Sequence, residues 1–286
     1  MNTPTSSLTV ALAVVTGIGL GLSGKARASD DPAAKVRLIS DHSVVAPGQT
    51  CWLAVEFKIQ EKWHIYWPGQ NDSGYAPSVE WELPEGVMVG EIQWPAPKRY
   101  VLPGRILDHT LEGDVLLLAP LVIERAKPGD VLTISAHVEW LECEEGCVQQ
   151  EKDVSMKLRV GEAPVSSADA PAIERARAEI PTSSENVVTT DWESARNITI
   201  GVVPPPGRTI ARTAFYPHES GANVSDPLDT CEAPKAYLSV IPVDPDGGKP
   251  VMGVVEAWDS EGVSLGRWWL NNPQHVDQGS TARGKR

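Results

Sequence analysis

The sequence predicts an all-β protein that contains one β-sandwich followed by a second, smaller β-sandwich. The composition favours this class, because 24 Pro and 24 Gly supply many turns and 10 Trp accompany only 2 Phe. Short β-rich runs recur between Pro-Gly, Ser-Gly and Glu-Gly turns, which is the pattern of a sandwich. Two hydrophobic cores fit comfortably in a chain of 286 residues.

The first 28 residues predict a signal peptide for export. The apolar stretch from Leu8 to Leu22 is too short to span a bilayer comfortably, and Ala26-Arg27-Ala28 forms a small-x-small cleavage site. We therefore expect a mature protein that starts near Ser29 and is periplasmic or otherwise secreted, soluble after signal cleavage. Such a compartment allows disulfides to persist. No later segment predicts a membrane span in the mature chain.

The charge of the chain limits its partners. The formal net charge is −13, and it becomes −15 when cleavage removes Lys25 and Arg27. Nucleic acid and anionic membrane surfaces are therefore not expected partners. The sequence contains no Ser-His-Asp order, phosphate loop or paired-carboxylate motif, so it supports neither hydrolase nor nucleotide chemistry, and we expect no cofactor.

The first sandwich is predicted over residues 29–161. Strand-like runs are bounded by turns, and the run before the cysteine pair alternates, with Leu132, Ile134, Ala136, Val138 and Trp140 on one face. The predicted strands are Val36 to Ser40, Thr50 to Ile59, Ser78 to Leu83, Val115 to Ile123, Val131 to Leu141 and Val154 to Val160.

A linker with one short helix is predicted over residues 162–190. The helix begins near Pro171 after a capping Asp169 and ends before Pro181. A second β domain follows over residues 191–270, and residues 271–286 predict a disordered polar tail. The strands predicted for the second domain are Asn197 to Val203, Ala211 to Tyr216, Ala236 to Pro242, Val251 to Trp258 and Ser264 to Leu270.

The most informative motif is a pair of cysteines, Cys143 and Cys147, on either side of a Glu-Glu-Gly loop. We expect a three-residue hairpin loop with Gly146 in the left-handed region and the two cysteines facing each other across the hairpin. Opposed positions on an antiparallel pair are close enough for a disulfide after a modest twist. A loop this short gains little closure entropy, so redox exchange is a better explanation than stapling of the fold.

The surroundings of the pair predict its reactivity. Period-two alternation places both cysteines opposite the apolar face, so we expect both sulfurs to be reachable. Acidic side chains close in sequence should raise both thiol pKa values and leave the pair as a reductant or a resting disulfide. These acidic residues are Glu139, Glu142, Glu144, Glu145, Glu151 and Asp153.

The chain also resembles the N-terminal periplasmic domain of the DsbD/ScsB thiol:disulfide interchange proteins. The resemblance spans about residues 35–160, and residues 176–181 and 215–221 resemble the second extracytoplasmic region of the ScsB-like branch. The matching motifs are Trp63-His64-Ile65-Tyr66-Trp67-Pro68-Gly69, Asp72-Ser73-Gly74, Trp81-Glu82-Leu83-Pro84-Glu85-Gly86, Trp94-Pro95-Ala96-Pro97, Glu112-Gly113-Asp114-Val115, and Trp140-Leu141-Glu142-Cys143 with Cys147.

This resemblance implies an immunoglobulin-like domain that relays electrons through Cys143 and Cys147, with Cys147 as the cysteine that attacks partners. The implied partners are proteins with thioredoxin-like or membrane electron-conduit domains, and the implied activity is that of a protein-disulfide reductase or exchange component. Two departures stand out. The sequence contains neither of those two domains, so we expect it to act as a stand-alone module. Asp108-His109-Thr110 occupies the place of an aromatic-glycine pair that belongs to a covering loop in the family.

Two other functions fit the sequence. The cystine could be structural, in a non-catalytic adaptor, or the same sulfurs could handle copper together with His137, although the scattered histidines favour no metal site. The remaining cysteines, Cys51 and Cys231, could form a bridge between the domains or remain two buried thiols. The Trp63 to Trp67 run is interpreted as core plus turn rather than as a binding surface.

Overall fold

The computed structural model describes residues 31–183, 187–190, 197–244 and 248–273. The predicted signal peptide over residues 1–28 lies outside these ranges, as does most of the predicted tail. Within them, no helix is long and apolar enough to cross a membrane.

The first sandwich consists of two main sheets and one small sheet. The strands are β1 (Ala34–Ser40), β2 (His42–Val45), β3 (Thr50–Ile59), β4 (Ile65–Tyr66), β5 (Ser78–Glu82), β6 (Val87–Val89), β7 (Lys98–Leu102), β8 (Ile106–Leu111), β9 (Asp114–Ile123), β10 (Val131–Cys143), β11 (Cys147–Val160) and β12 (Val165–Ser166). The main sheets have strand orders β1-β3-β9-β6 and β12-β2-β11-β10-β5, and the small sheet has the order β4-β8-β7.

Alternation in β10 builds the core as the sequence predicts. Its even-numbered residues from Leu132 to Trp140 are all buried. The ring of Trp140 packs edge to face on that of Phe57 in β3, with ring centroids 5.7 Å apart. The prediction that β11 starts at Val154 was wrong, because this strand begins at Cys147 and pairs with β10 from there onward. Its first half is polar and carries no apolar signal, so the backbone ladder with β10 defines it instead.

The helix lies where the sequence predicts it, but its N-terminus differs from expectation. Helix α1 (Ala170–Glu179) has Asp169 at the N-cap position, yet the Asp169 side chain makes no capping hydrogen bond. It accepts a hydrogen bond from Arg37 at 3.1 Å instead. Ile173 is the buried residue of the helix, and it packs in a small cluster with Ile39, Ala54 and Leu118.

A second, smaller sandwich follows. Its elements are β13 (Thr182–Ser183), β14 (Val187–Thr190), β15 (Ile198–Val202), β16 (Arg212–Pro217), α2 (Pro227–Thr230), β17 (Glu232–Ala233), β18 (Tyr237–Val240), β19 (Gly253–Trp258) and β20 (Ser264–Leu270). The two sheets have strand orders β13-β20-β19-β16-β17 and β14-β15-β18.

The two sandwiches share apolar packing. Trp67 of the first is fully buried and stacks on Trp269 of the second, with ring centroids 6.2 Å apart. Tyr216 and Val254 of the second sandwich belong to the same buried cluster as the core of the first. The domain limits near residues 161 and 190 remain a prediction.

Candidate functional site

The cysteine pair lies at the tip of the β10–β11 hairpin. Cys143 and Cys147 face each other in register, with Cα atoms 4.2 Å apart, and form a disulfide. The expected left-handed conformation of Gly146 was wrong, since the structure gives it no positive φ. A side chain at Gly146 would meet open space, and a backbone bond from Glu144 N–H to Gly146 O at 3.2 Å closes the loop instead.

The two sulfur-bearing residues differ in exposure. Cys147 is exposed, as its position in the alternation of β11 predicts, whereas only 2 % of Cys143 is exposed. The expectation that both sulfurs are reachable was therefore wrong for Cys143. The alternation assigns Cys143 to the outer face, but Tyr66 of β4 lies against its sulfur.

Tyr66 is the side chain that covers the disulfide. Its hydroxyl donates to Cys143 Sγ at 3.1 Å and lies 3.7 Å from Cys147 Sγ. Burial raises the pKa of Tyr66, so the hydroxyl remains protonated and able to donate at neutral pH. A hydrogen-bond donor beside the sulfur stabilises the thiolate that reduction of the bond produces. It therefore favours the reduced form of the pair over the disulfide.

A buried carboxylate holds the loop that supports Tyr66. Ser73 Oγ lies 3.4 Å from the Tyr66 hydroxyl and donates to Asp108 Oδ2 at 2.5 Å. Asp108 Oδ1 also accepts the backbone N–H groups of Asp72 and Ser73 at 3.0 and 2.9 Å. Gly74 lies so close to the Tyr66 ring that an added Cβ would stand 2.1 Å from it. Asp108 therefore anchors the loop that holds Ser73 and Gly74 against Tyr66.

His64 adjoins Cys143 on the other side. The backbone N–H and C=O groups of the two residues exchange hydrogen bonds, both at 3.0 Å. The imidazole is buried between Tyr66 and Tyr100, with ring centroids at 5.4 and 4.7 Å. Burial lowers the pKa of His64, so it is neutral at pH 7 and adds no charge beside the sulfurs.

Glu142 faces away from the disulfide and does not belong to an acidic surface around it. Only 1 % of it is exposed, and its carboxylate accepts four hydrogen bonds at 2.9 to 3.0 Å. The donors are Ala33 N, Ala34 N, Trp140 Nε1 and Gln150 Nε2. The expectation that Glu142 tunes the thiols through its proximity in sequence is therefore replaced by a structural role, in which it fastens the start of β1 to the hairpin.

His137 is distant from the sulfurs. It lies six residue pairs along the hairpin from Cys143, roughly 20 Å at the rise of a strand. Its ring contacts Asp153 at 2.7 Å and Glu139 at 3.5 Å, and the hydrogen bond to Asp153 raises its pKa. The hypothesis of a copper site that joins His137 to the cysteine pair is therefore not supported by the structure.

The other two cysteines are free thiols. Cys51 and Cys231 are both buried and unbridged, and burial raises the pKa of each thiol to about 12. Of the two readings that the sequence leaves open, the structure therefore shows two buried thiols rather than a bridge.

The fold and the site together define an immunoglobulin-like sandwich with a disulfide at the tip of one hairpin. Residues 35–158 match the family described as the N-terminal region of the thiol:disulfide interchange protein DsbD, and this part of the chain is a DsbD-like N-terminal domain. A search of curated proteins returned no match.

The chain also resembles a solved structure. The N-terminal periplasmic domain of ScsB from Proteus mirabilis matches with a TM-score of 0.53 at 17% identity, over 84% of this chain and 94% of that one. At that identity the match supports the fold alone. A pilin subunit, BcpA of Bacillus cereus, covers 83% of this chain and 65% of its own, but its 10% identity and TM-score of 0.26 are too low for argument.

Sequence reasoning missed Tyr66, which covers the disulfide, and the two residues that support it, Ser73 and Asp108. Tyr66 falls in an aromatic run that is interpreted as core, and it is indeed only 1 % exposed. Ser73 and Asp108 gave no signal of their own, because each lies more than 30 residues from the cysteines. The resemblance gave the available indication, because its landmarks include Tyr66 and Ser73 and because Asp108 stands in the place of a covering-loop pair of the family.

Proposed function

We propose that this protein is an extracytoplasmic thiol:disulfide interchange module that relays electrons through Cys143 and Cys147 to or from partner proteins. The observation that carries the proposal is the asymmetry of the pair: Cys147 is exposed while Cys143 is buried beneath the Tyr66 hydroxyl. The match of residues 35–158 to a family of interchange proteins supports it.

The two sulfurs take different roles in this proposal. In the reduced protein the Cys147 thiolate attacks a disulfide of the partner, forms a mixed disulfide and releases one partner thiolate. The Cys143 thiolate then attacks Cys147 Sγ, which re-forms the Cys143–Cys147 bond and releases the second partner thiolate. Two electrons pass to the partner, and the reverse sequence accepts two electrons from a dithiol protein. Tyr66 stabilises Cys143 as the thiolate through its hydrogen bond.

The partners have to fit an exposed sulfur on a narrow tip. The flanking Glu144, Glu145 and Gly146 are exposed, so a partner reaches Cys147 from the solvent. Proteins with a thioredoxin-like domain, or a membrane domain that carries electrons, suit this role. The predicted export signal places the exchange outside the cytoplasm, where such pairs cycle between thiol and disulfide forms.

The experiment uses single-cysteine variants and an oxidised thioredoxin-fold protein as the probe. Reduced wild-type protein should reduce the probe completely. The Cys143→Ala variant should stop at a mixed disulfide through Cys147, which non-reducing electrophoresis and mass spectrometry detect.

The Cys147→Ala variant can form a mixed disulfide only through Cys143, and it should do so at least tenfold more slowly, because Cys143 is buried. A Cys51→Ala variant is the matched control and should behave as wild type. Equal trapping by Cys143→Ala and Cys147→Ala, or no electron transfer by wild type, would contradict the proposal.

A further inference from the structure

The layer over the disulfide is held from its far side by the second sandwich. This layer consists of residues 64–74 and the β7–β8 hairpin over residues 98–111, and we call it the cover. On one of its faces, the Tyr66 hydroxyl contacts the sulfurs and the His64 backbone pairs with the backbone of Cys143. The other face contacts the second sandwich, where Gln70 and Arg99 both bond to the segment between β16 and β17.

The first contact is made by the loop that follows Tyr66. The side-chain amide of Gln70 makes two hydrogen bonds with the backbone of Val224. Gln70 Nε2 donates to Val224 O at 2.9 Å, and Val224 N–H donates to Gln70 Oε1 at 2.8 Å. Backbone bonds from Gln70 N–H to Pro217 O and from Glu219 N–H to Pro68 O, at 3.0 and 3.1 Å, complete the attachment. Ser73 and Gly74, which follow Gln70 in the same loop, contact Tyr66.

The second contact is made by β7. Arg99 donates to Pro227 O at 3.3 Å and to Leu228 O at 2.8 Å, and its Nε lies 3.4 Å from Glu232. Its side chain is 11% exposed, so these bonds are largely shielded from water. The next residue, Tyr100, packs on His64, which pairs with Cys143 through the backbone.

We propose that the second sandwich positions the cover over the Cys143–Cys147 disulfide, with Gln70 and Arg99 as positioning residues. The inference rests on the proposed function and assigns a role to the second sandwich within it. Neither residue touches sulfur. Each fixes a segment whose next few residues do the covering, so loss of either contact loosens Tyr66 or His64 against Cys143.

The experiment compares Gln70→Ala and Arg99→Ala with two matched controls on the full chain. Gln60→Ala removes an exposed glutamine, and Arg125→Ala removes an exposed arginine whose ion pair is with Glu85 of the first sandwich. An Arg99→Lys variant keeps the positive charge and replaces Arg99→Ala in the comparison if Arg99→Ala does not fold. The readouts are the equilibrium constant of the disulfide with glutathione and the rate at which iodoacetamide alkylates Cys143 in the reduced protein.

We expect Gln70→Ala and Arg99→Ala to raise the Cys143 alkylation rate and to shift the glutathione equilibrium constant, each by about three- to tenfold. The controls should stay within about twofold of wild type. A lowered melting temperature with both readouts at wild-type values would overturn the inference, because the contacts would then be structural only.

The two proposals fail in different ways. A wild-type disulfide that does not equilibrate with glutathione counts against the proposed function. The alkylation rate of Cys143 in the chemically reduced variants still decides whether the second sandwich positions the cover. Wild-type exchange with unchanged variants counts against the positioning role alone.

Discussion

The two sides of the hairpin tip differ in exposure and in the contacts that their residues make. On the inner side, Cys143 is buried under Tyr66 and His64, and the neighbouring Glu142 is enclosed by four donors. On the outer side, Cys147, Glu144 and Glu145 are exposed. In the proposed exchange, the inner side therefore stabilises one thiolate, while the outer side leaves the other sulfur accessible to a partner.

The largest expected contrast concerns the carboxylates on the two sides. A Glu142→Gln substitution should lower the free energy of unfolding by about 4 kcal/mol. The amide NH2 of Gln would face N–H donors, and buried donors would lose their acceptor. Glu144→Gln should change it by less than about 0.5 kcal/mol. Urea denaturation with the disulfide intact measures both. Similar effects for the two variants would remove the distinction between inner and outer carboxylates.

Acid should separate buried from exposed histidines. Burial lowers the pKa of His109 and His218 to about 4 and lowers that of His64, whereas the unfolded value is near 6.5. The unfolded chain then binds more protons between these values, so stability is present above about pH 6.5 and is lost as the pH falls toward 4. His109 alone should contribute roughly 3 kcal/mol of this loss.

The check is denaturation at several pH values for His109→Gln and for the exposed control His137→Gln. The pKa of His137 is raised by its hydrogen bond to Asp153, so its contribution has the opposite sign and is lost as the pH rises. The His109→Gln variant should show a flatter loss below pH 6.5, and His137→Gln should not. The same profile in both variants would refute the assignment.

Part of this asymmetry could be predicted from the sequence. The spacing of Cys143 and Cys147 predicts their opposition, and the alternation of β11 places Cys147 outside. The burial of Cys143 could not be predicted from its strand, because Tyr66 comes from 77 positions earlier in the chain. In the sequence, Glu142 is one of several acidic residues near the cysteines, and nothing local distinguishes it. Its structural role depends on hydrogen bonds from the backbone of Ala33 and Ala34, more than 100 positions away.

Long-range pairing explains the other misses as well. The small sheet that carries the cover has strands such as β8, whose buried Asp108, His109 and Thr110 give no apolar pattern. Local periodicity therefore identifies strands that face a core. It does not identify strands that are buried between the two sandwiches.

A smaller effect tests the inner side. Tyr66→Phe removes the hydroxyl that donates to Cys143 Sγ, so the reduced thiolate loses stabilisation and the disulfide becomes harder to reduce. The reduction potential should fall by about 30 mV. Tyr100→Phe is the control, because Tyr100 contacts His64 through its ring. A titration against glutathione that finds equal potentials for wild type and Tyr66→Phe would exclude this role of the hydroxyl.

The smallest effect should come from the outer side and have the opposite sign. Replacing both Glu144 and Glu145 with Gln removes exposed negative charge near the sulfurs, so the reduced form gains stability and the potential rises. Screening by solvent and salt limits the rise to about 10 mV. The control is Glu162→Gln, another exposed carboxylate. A fall in potential would show that these carboxylates do not act on the thiolates by repulsion.

The most direct test of the central claim is the reduction potential of the Cys143–Cys147 disulfide in the wild-type protein. Equilibration with glutathione buffers, followed by thiol alkylation and mass spectrometry, gives the fraction of reduced pair. An exchange module predicts a midpoint above about −300 mV, within reach of thiol partners. A midpoint well below that value, with a disulfide that glutathione leaves intact, would contradict the account and identify the pair as a structural cystine.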